Sequence, residues 1–276
     1  MSATAAANPA RRVRHVARTL LSEHPALYLP FARRRYPGPS PEVIGADTEL
    51  VLDGYTRSGS TLAVYVFQLA QPRPVRLAHH LHAPAQLIAA VRRGLPALLL
   101  VREPQEAVLS HVAREPHVDL RDALRGYVRF HERLLPYADG FVVADHREVV
   151  ADPAAVVRRL NLAFGTDFGL PRRALVEQSR ELVRLRPSRA GDLLAFESGL
   201  LSLAELRGLL SEHPERFQVE GEDDAWLPST AREERKHALR ASWAHERLAV
   251  PRAAAQTVYE TYRARSAHRQ NVEGES

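Results

Sequence analysis

Three groups of residues in the first half of the chain have the types and spacing to act on an anion. The first is Gly54-Tyr55-Thr56-Arg57-Ser58-Gly59-Ser60-Thr61, set between the apolar run Glu49 to Gly54 and the apolar-rich segment Ser60 to Leu69. A glycine-containing loop between a strand and a helix aims backbone N–H groups and a helix N-terminus at one point, which suits a phosphate or sulfate. The second is Val101-Arg102-Glu103-Pro104, with Ser110 eight positions beyond Arg102. A guanidinium at a strand end and a hydroxyl on the following helix can grip one anion together. The third is Ala78-His79-His80-Leu81-His82. Strand alternation places His80 and His82 on one face and His79 on the other, and an imidazole titrating near neutrality can take a proton from a hydroxyl. Solvated loop histidines, or a metal held by His80 and His82, are the other uses of this segment. No carboxylate stands at ligand spacing to support the metal.

The first loop lacks what an ATPase or kinase needs. Such loops read GxxxxGK followed by Ser or Thr, with the lysine reaching the terminal phosphates. Here Ser60 stands in the lysine position and Arg57 is the loop's only cation. Lys236 is the only lysine in the chain, so arginine takes over tasks that lysine often performs.

Arg57-Ser58-Gly59-Ser60-Thr61 resembles the 5′-phosphosulfate loop of the sulfotransferases that use 3′-phosphoadenosine-5′-phosphosulfate, in the variant that opens with arginine. Arg102-Glu103-Pro104 with Ser110 resembles that family's 3′-phosphate motif. Many members carry Lys-Thr-His with the histidine 22 residues before the 3′-phosphate arginine; His80 stands 22 residues before Arg102, with Ala78 in the lysine's place. Val142 to Pro153 resembles a further family segment of scaffolding character. The resemblance implies a P-loop-like fold, a sulfuryl donor bound by Arg57, Ser58, Gly59, Ser60, Thr61, Arg102 and Ser110, and catalysis by His80 and Arg57 without a metal. The acceptor is a hydroxyl or amine on a small molecule, lipid or carbohydrate. Some branches use a glutamate as base, which draws attention to Glu103, whose neighbours argue for a helix cap. The Gly-rich C-terminal loop of cytosolic members is missing; the nearest basic cluster, Arg232 to Lys236, could contact a phosphate but reads better as a solvated helix face.

Positioning these residues requires alternating strands and helices. Strands are expected at Glu49 to Gly54, Val75 to His79, Pro96 to Val101 and Phe141 to Ala144. Helices are expected at Ser60 to Leu69, Pro84 to Arg93, Pro104 to about Ala113, Asp119 to Pro136, Pro153 to Phe164, Pro171 to Leu185, Leu203 to Leu210, Glu233 to Leu248 and Pro251 to Arg263. This is an α/β pattern, a three-layer αβα domain on a parallel sheet. It is expected over 48–266, after a basic, Pro-rich arm (1–47) and before a polar tail (267–276).

At 276 residues the chain can bury one large core, and it contains no cysteine, so disulfides and thiolate chemistry are excluded. No long apolar run or signal peptide is visible, so a cytoplasmic protein without stable membrane insertion is expected. The net charge of +5 suits an anionic ligand, but no nucleic-acid motif accompanies it. A degenerate P-loop kinase or NTPase, and a non-catalytic nucleotide-binding module, are the competing readings. Oligomeric state is not encoded in any visible pattern.

Overall fold

The computed structural model describes residues 9–185, 191–217 and 229–274. Four strands, β1 (Leu50–Gly54), β2 (Leu77–His79), β3 (Ala97–Val101) and β4 (Val142–Asp145), form one all-parallel sheet in the order β2-β1-β3-β4. The sequences LVLDG and ALLLV are buried along their whole length, as strands covered on both faces must be. The β1 end lies so close to β3 that a Cβ at Gly54 would come within 2.4 Å of the Leu100 carbonyl oxygen, so this position admits only glycine.

The helices are α1 (Pro9–Leu21), α2 (Pro25–Arg35), α3 (Ser60–Ala70), α4 (Pro84–Arg92), α5 (Pro104–Arg114), α6 (Leu120–Leu134), α7 (His146–Ala151), α8 (Pro153–Phe164), α9 (Ala174–Arg184), α10 (Gly191–Glu197), α11 (Leu203–Glu212), α12 (Thr230–Ala244) and α13 (Ala249–Gly274). One face of the sheet is covered by residues of α2, α4, α5, α6 and α13, among them Tyr28, Leu87, Val108, Tyr127 and Tyr262. The other is covered by α3 and α8, through Val64, Phe67, Val156 and Leu160. A third cluster joins α3 to α9, α10 and α11. The protein is thus α/β with helices on both faces. The chain leaves β1 toward one face and β3 toward the other, which opens a crevice between their carboxyl ends, the usual ligand position in open parallel sheets.

Several expectations need correction. The segment 1–47 is more than an arm: α2 forms despite Pro30 inside it, and Tyr28, Leu29 and Ala32 enter the main core. Proline there removes one helical hydrogen bond, and the burial of this face outweighs that loss. The polar tail is also too short a description, because α13 continues through it to Gly274. The helices α7 and α10 were not anticipated. The loop expected between Glu212 and Ser229 contains a 3-10 turn at Pro214–Phe217, and its stretch 218–228 lies outside the described residues.

Candidate functional site

The loop after β1 is held in an unusual backbone shape. Arg57 has φ +68° and Gly59 has φ +94°. A side chain at Gly59 would be strained and would bring a Cβ within 2.5 Å of His146 Nδ1. These turns carry Ser58 and Ser60 inward, where both Oγ atoms are buried without a hydrogen-bond partner. A buried hydroxyl left unsatisfied is costly, so two in one helix-capping loop point to a ligand that satisfies them. Thr61 sits half-buried in the first turn of α3.

The two sequence groups meet at Arg57. Its Nε donates to Ser110 Oγ at 3.1 Å, and its carbonyl accepts from Arg102 Nη1 at 3.0 Å. Arg102 also faces Glu106 at 3.4 Å, and Glu106 pairs with Lys236 at 3.1 Å. Burial first, and then the positive fields of Arg114, Arg232 and Arg102, draw the Arg57 pKa down to about 10. Guanidinium groups gathered this tightly favour an anion between them. Glu103 caps α5, accepting from the backbone N–H groups of Gln105 and Glu106, which is the role its neighbours suggested.

The histidines part company. Strand β2 ends at His79, and both His80 (φ +59°) and His82 (φ +51°) adopt left-handed backbone, so strand alternation does not govern them. His80 turns away from the loop. Its Nε2 lies 3.3 Å from Glu197 at the end of α10, and both side chains are almost fully buried. His79 Nε2 meets Ser198 Oγ at 3.1 Å, and that hydroxyl donates to the Pro39 carbonyl. His79, His80 and Glu197 form a compact polar brace between β2 and α10, with ligand-type atoms within 4.8 Å of one another. It uses a different pair of histidines from the metal alternative and a carboxylate that is distant in sequence.

His82 instead lines a cavity of about 120 Å³ with Tyr55, Thr56, His111, Glu115 and Arg18. Its Nδ1 is 2.9 Å from the Gly54 carbonyl, which can only accept, so Nδ1 carries the hydrogen and the Nε2 lone pair is left to the cavity. Its backbone N–H donates to Asp53, a fully buried carboxyl whose pKa burial pushes up to about 7. Burial chiefly, with help from His80, Arg18 and Arg57, holds the His82 imidazole down at about 3, so it is neutral at physiological pH. Across the cavity, the Tyr55 hydroxyl donates to the Ala123 carbonyl and therefore accepts from His111 Nδ1 at 2.9 Å. His111 Nε2 faces Glu115 at 3.7 Å, and that contact is the main reason the Glu115 pKa falls to about 2.

Four further residues adjoin the site. Arg114 lies one helical turn beyond Ser110, a spacing that places both on one face of α5 and was legible. Arg232 and Lys236, read as part of a solvated face, are buried where α12 packs on α5, and nothing local in the sequence signals that. His146, against Gly59, is pulled to about 4 by burial and by Arg102. Compared with known proteins, the chain matches no family profile and no curated sequence.

Proposed function

We propose that the chain is a sulfotransferase of the P-loop-like αβα fold, moving a sulfuryl group from 3′-phosphoadenosine-5′-phosphosulfate to a hydroxyl or amine. The reading is supported by the meeting of Arg57 with Arg102 and Ser110, and by two buried serine hydroxyls of the same loop that lack a hydrogen-bond partner. Those groups fit an anionic donor: hydroxyl and N–H donors of the α3 N-terminus on one side, guanidinium groups on the other. The donor, when bound, supplies an activated sulfuryl group and a phosphate leaving group.

The chain's own residues would then divide the work as follows. Arg57 and the loop donors neutralise charge where the leaving phosphate develops it. Arg102 and Ser110, with Arg114 and Arg232 close by, hold a second phosphate. His82, rather than His80, would take the acceptor's proton at Nε2, because it is His82 that lines the cavity beside the loop; its pKa of about 3 makes it a weak base by itself, and the negative charge of a bound donor would raise it. His111, held by Tyr55 and Glu115, shapes the opposite wall of the cavity. The cavity gives room for a hydroxyl group on a small-molecule, lipid or carbohydrate acceptor, and the in-line placement of reactants supplies much of the rate.

A radiolabelled sulfuryl donor offered with a panel of alcohol, phenol, sugar and amine acceptors tests the reading. Label transfer by the wild type, lost in folded Arg57→Ala and His82→Gln, supports it. Transfer of the terminal phosphate of ATP in the presence of magnesium, with no sulfuryl transfer, would replace it with a kinase.

A further inference from the structure

The outer surface of α1 and α2 is the least economical part of the molecule. Val13 (67% exposed), Val16 (42%) and Leu20 (45%) fall at helical spacing on α1, and Leu27 (61%) and Phe31 (49%) follow on α2. These are five of the ten large apolar side chains exposed among the described residues, confined to 19 consecutive positions. Scattered exposed apolar residues are ordinary, but a concentrated apolar stripe marks a contact surface. On α1 the stripe is exposed, whereas Leu21 packs on the core and Thr19 lines the cavity.

Charge identifies what the stripe contacts. Arg14, Arg33, Arg34 and Arg35 are exposed on these two helices, and the single acid of residues 1–36, Glu23, is paired with Arg129, which leaves the surface basic. A second copy of this face would be repelled. A nucleic acid would match the charge but leave the apolar stripe in water. An anionic bilayer satisfies both, taking apolar side chains into the acyl boundary while arginines meet headgroup phosphates.

We propose that the outer face of α1 and α2 docks on an anionic lipid membrane, without crossing it, and so brings the cavity walled by α1 to the membrane surface. Arg18, Thr19, Ser22 and Glu23 of α1 line the cavity that also holds His82. The helix that carries the stripe therefore also forms a wall of the candidate acceptor site.

Co-sedimentation with vesicles tests the docking. Full-length protein is compared on phosphatidylcholine alone and on an equal mixture of phosphatidylcholine and phosphatidylglycerol, at physiological salt. Binding is expected only to the mixture. The Leu20→Ser/Phe31→Ser variant should lose roughly tenfold or more in partitioning, and Arg34→Gln/Arg35→Gln about fivefold for each charge removed. These positions are exposed, and unchanged thermal melts confirm that the variants fold. Arg57→Ala should bind vesicles like the wild type, which separates a failure of docking from a failure of the sulfotransferase reading. No binding to the anionic mixture, binding indifferent to Leu20→Ser/Phe31→Ser, or a dimer in ultracentrifugation that these substitutions dissociate would each overturn the proposal.

Discussion

Two polar clusters lie side by side at the end of β2, and they are built on opposite plans. In the first, His79, His80, Glu197 and Ser198 are buried and turned toward one another, tying β2 to α10 and to the Pro39 carbonyl. In the second, Tyr55, His111 and Glu115 bond to one another, His82 is held by the Gly54 carbonyl and by Asp53, and the four residues line a cavity. The buried loop hydroxyls of Ser58 and Ser60 belong with the second plan, since they too wait for a partner. The first cluster ties β2 to α10, whereas the second leaves the cavity that we propose as the acceptor site. Three histidines within four positions are sorted between these plans by two left-handed residues.

The sharpest way to break the contrast is to remove one imidazole at a time. His82→Gln should lower turnover by about 10²–10⁴-fold, the usual worth of a general base, with little change in melting temperature. His80→Gln should do the reverse. It removes the contact to Glu197 from the buried brace and should destabilise the fold by ~1–3 kcal/mol in urea titrations, while the folded fraction retains activity. Equal effects of both substitutions on turnover would erase the distinction.

Backbone strain sharpens it further. The described non-glycine residues with positive φ, Arg57, His80 and His82, all lie at these two clusters, and strain of this kind concentrates where function fixes the backbone. Gly59→Ala adds a Cβ at φ +94° against His146. It should cost about 1–3 kcal/mol of stability and abolish ligand binding, checked by denaturation and calorimetry.

The buried Asp53 gives a pH signature. Its folded pKa of about 7 lies above the ordinary carboxyl value of 3.8, so between those limits the folded state holds a proton that the unfolded state releases. Its contribution to stability therefore falls as pH rises from about 4 to about 7. Asp53→Asn should flatten that part of the pH–stability curve, measured by thermal melts; an unchanged slope would mean that Asp53 is ionised in the folded protein. The smallest effect is expected at the loop hydroxyls. Without ligand, Ser58→Ala and Ser60→Ala should be neutral or slightly stabilising, by up to about 1 kcal/mol, because each removes an unsatisfied buried group, yet both should weaken anion binding.

Much of this arrangement was legible because it is local. Continuous apolar runs marked β1 and β3, and Pro104 marked the start of α5, so the two anion-binding segments could be placed at strand ends before any fold was seen. The brace was not legible, because Glu197 lies 117 positions beyond His80 and α10 carried no signal of its own. Strand alternation, extended past His79, put His80 and His82 on one face, whereas the left-handed backbone at both residues sends them to different neighbours. Pro30 misled in the other direction, since only the burial of Tyr28, Leu29 and Ala32 reveals that α2 survives it.

The central claim is that the loop after β1 and the start of α5 form one site for an adenosine bisphosphate, independent of magnesium. Calorimetric titration of 3′,5′-adenosine bisphosphate into wild type and Arg57→Ala, with ATP and magnesium as the competitor, tests it most directly. The account predicts tight metal-independent binding by the wild type that is lost in the variant. Preference for ATP with magnesium, or no binding by a folded wild type, would contradict it.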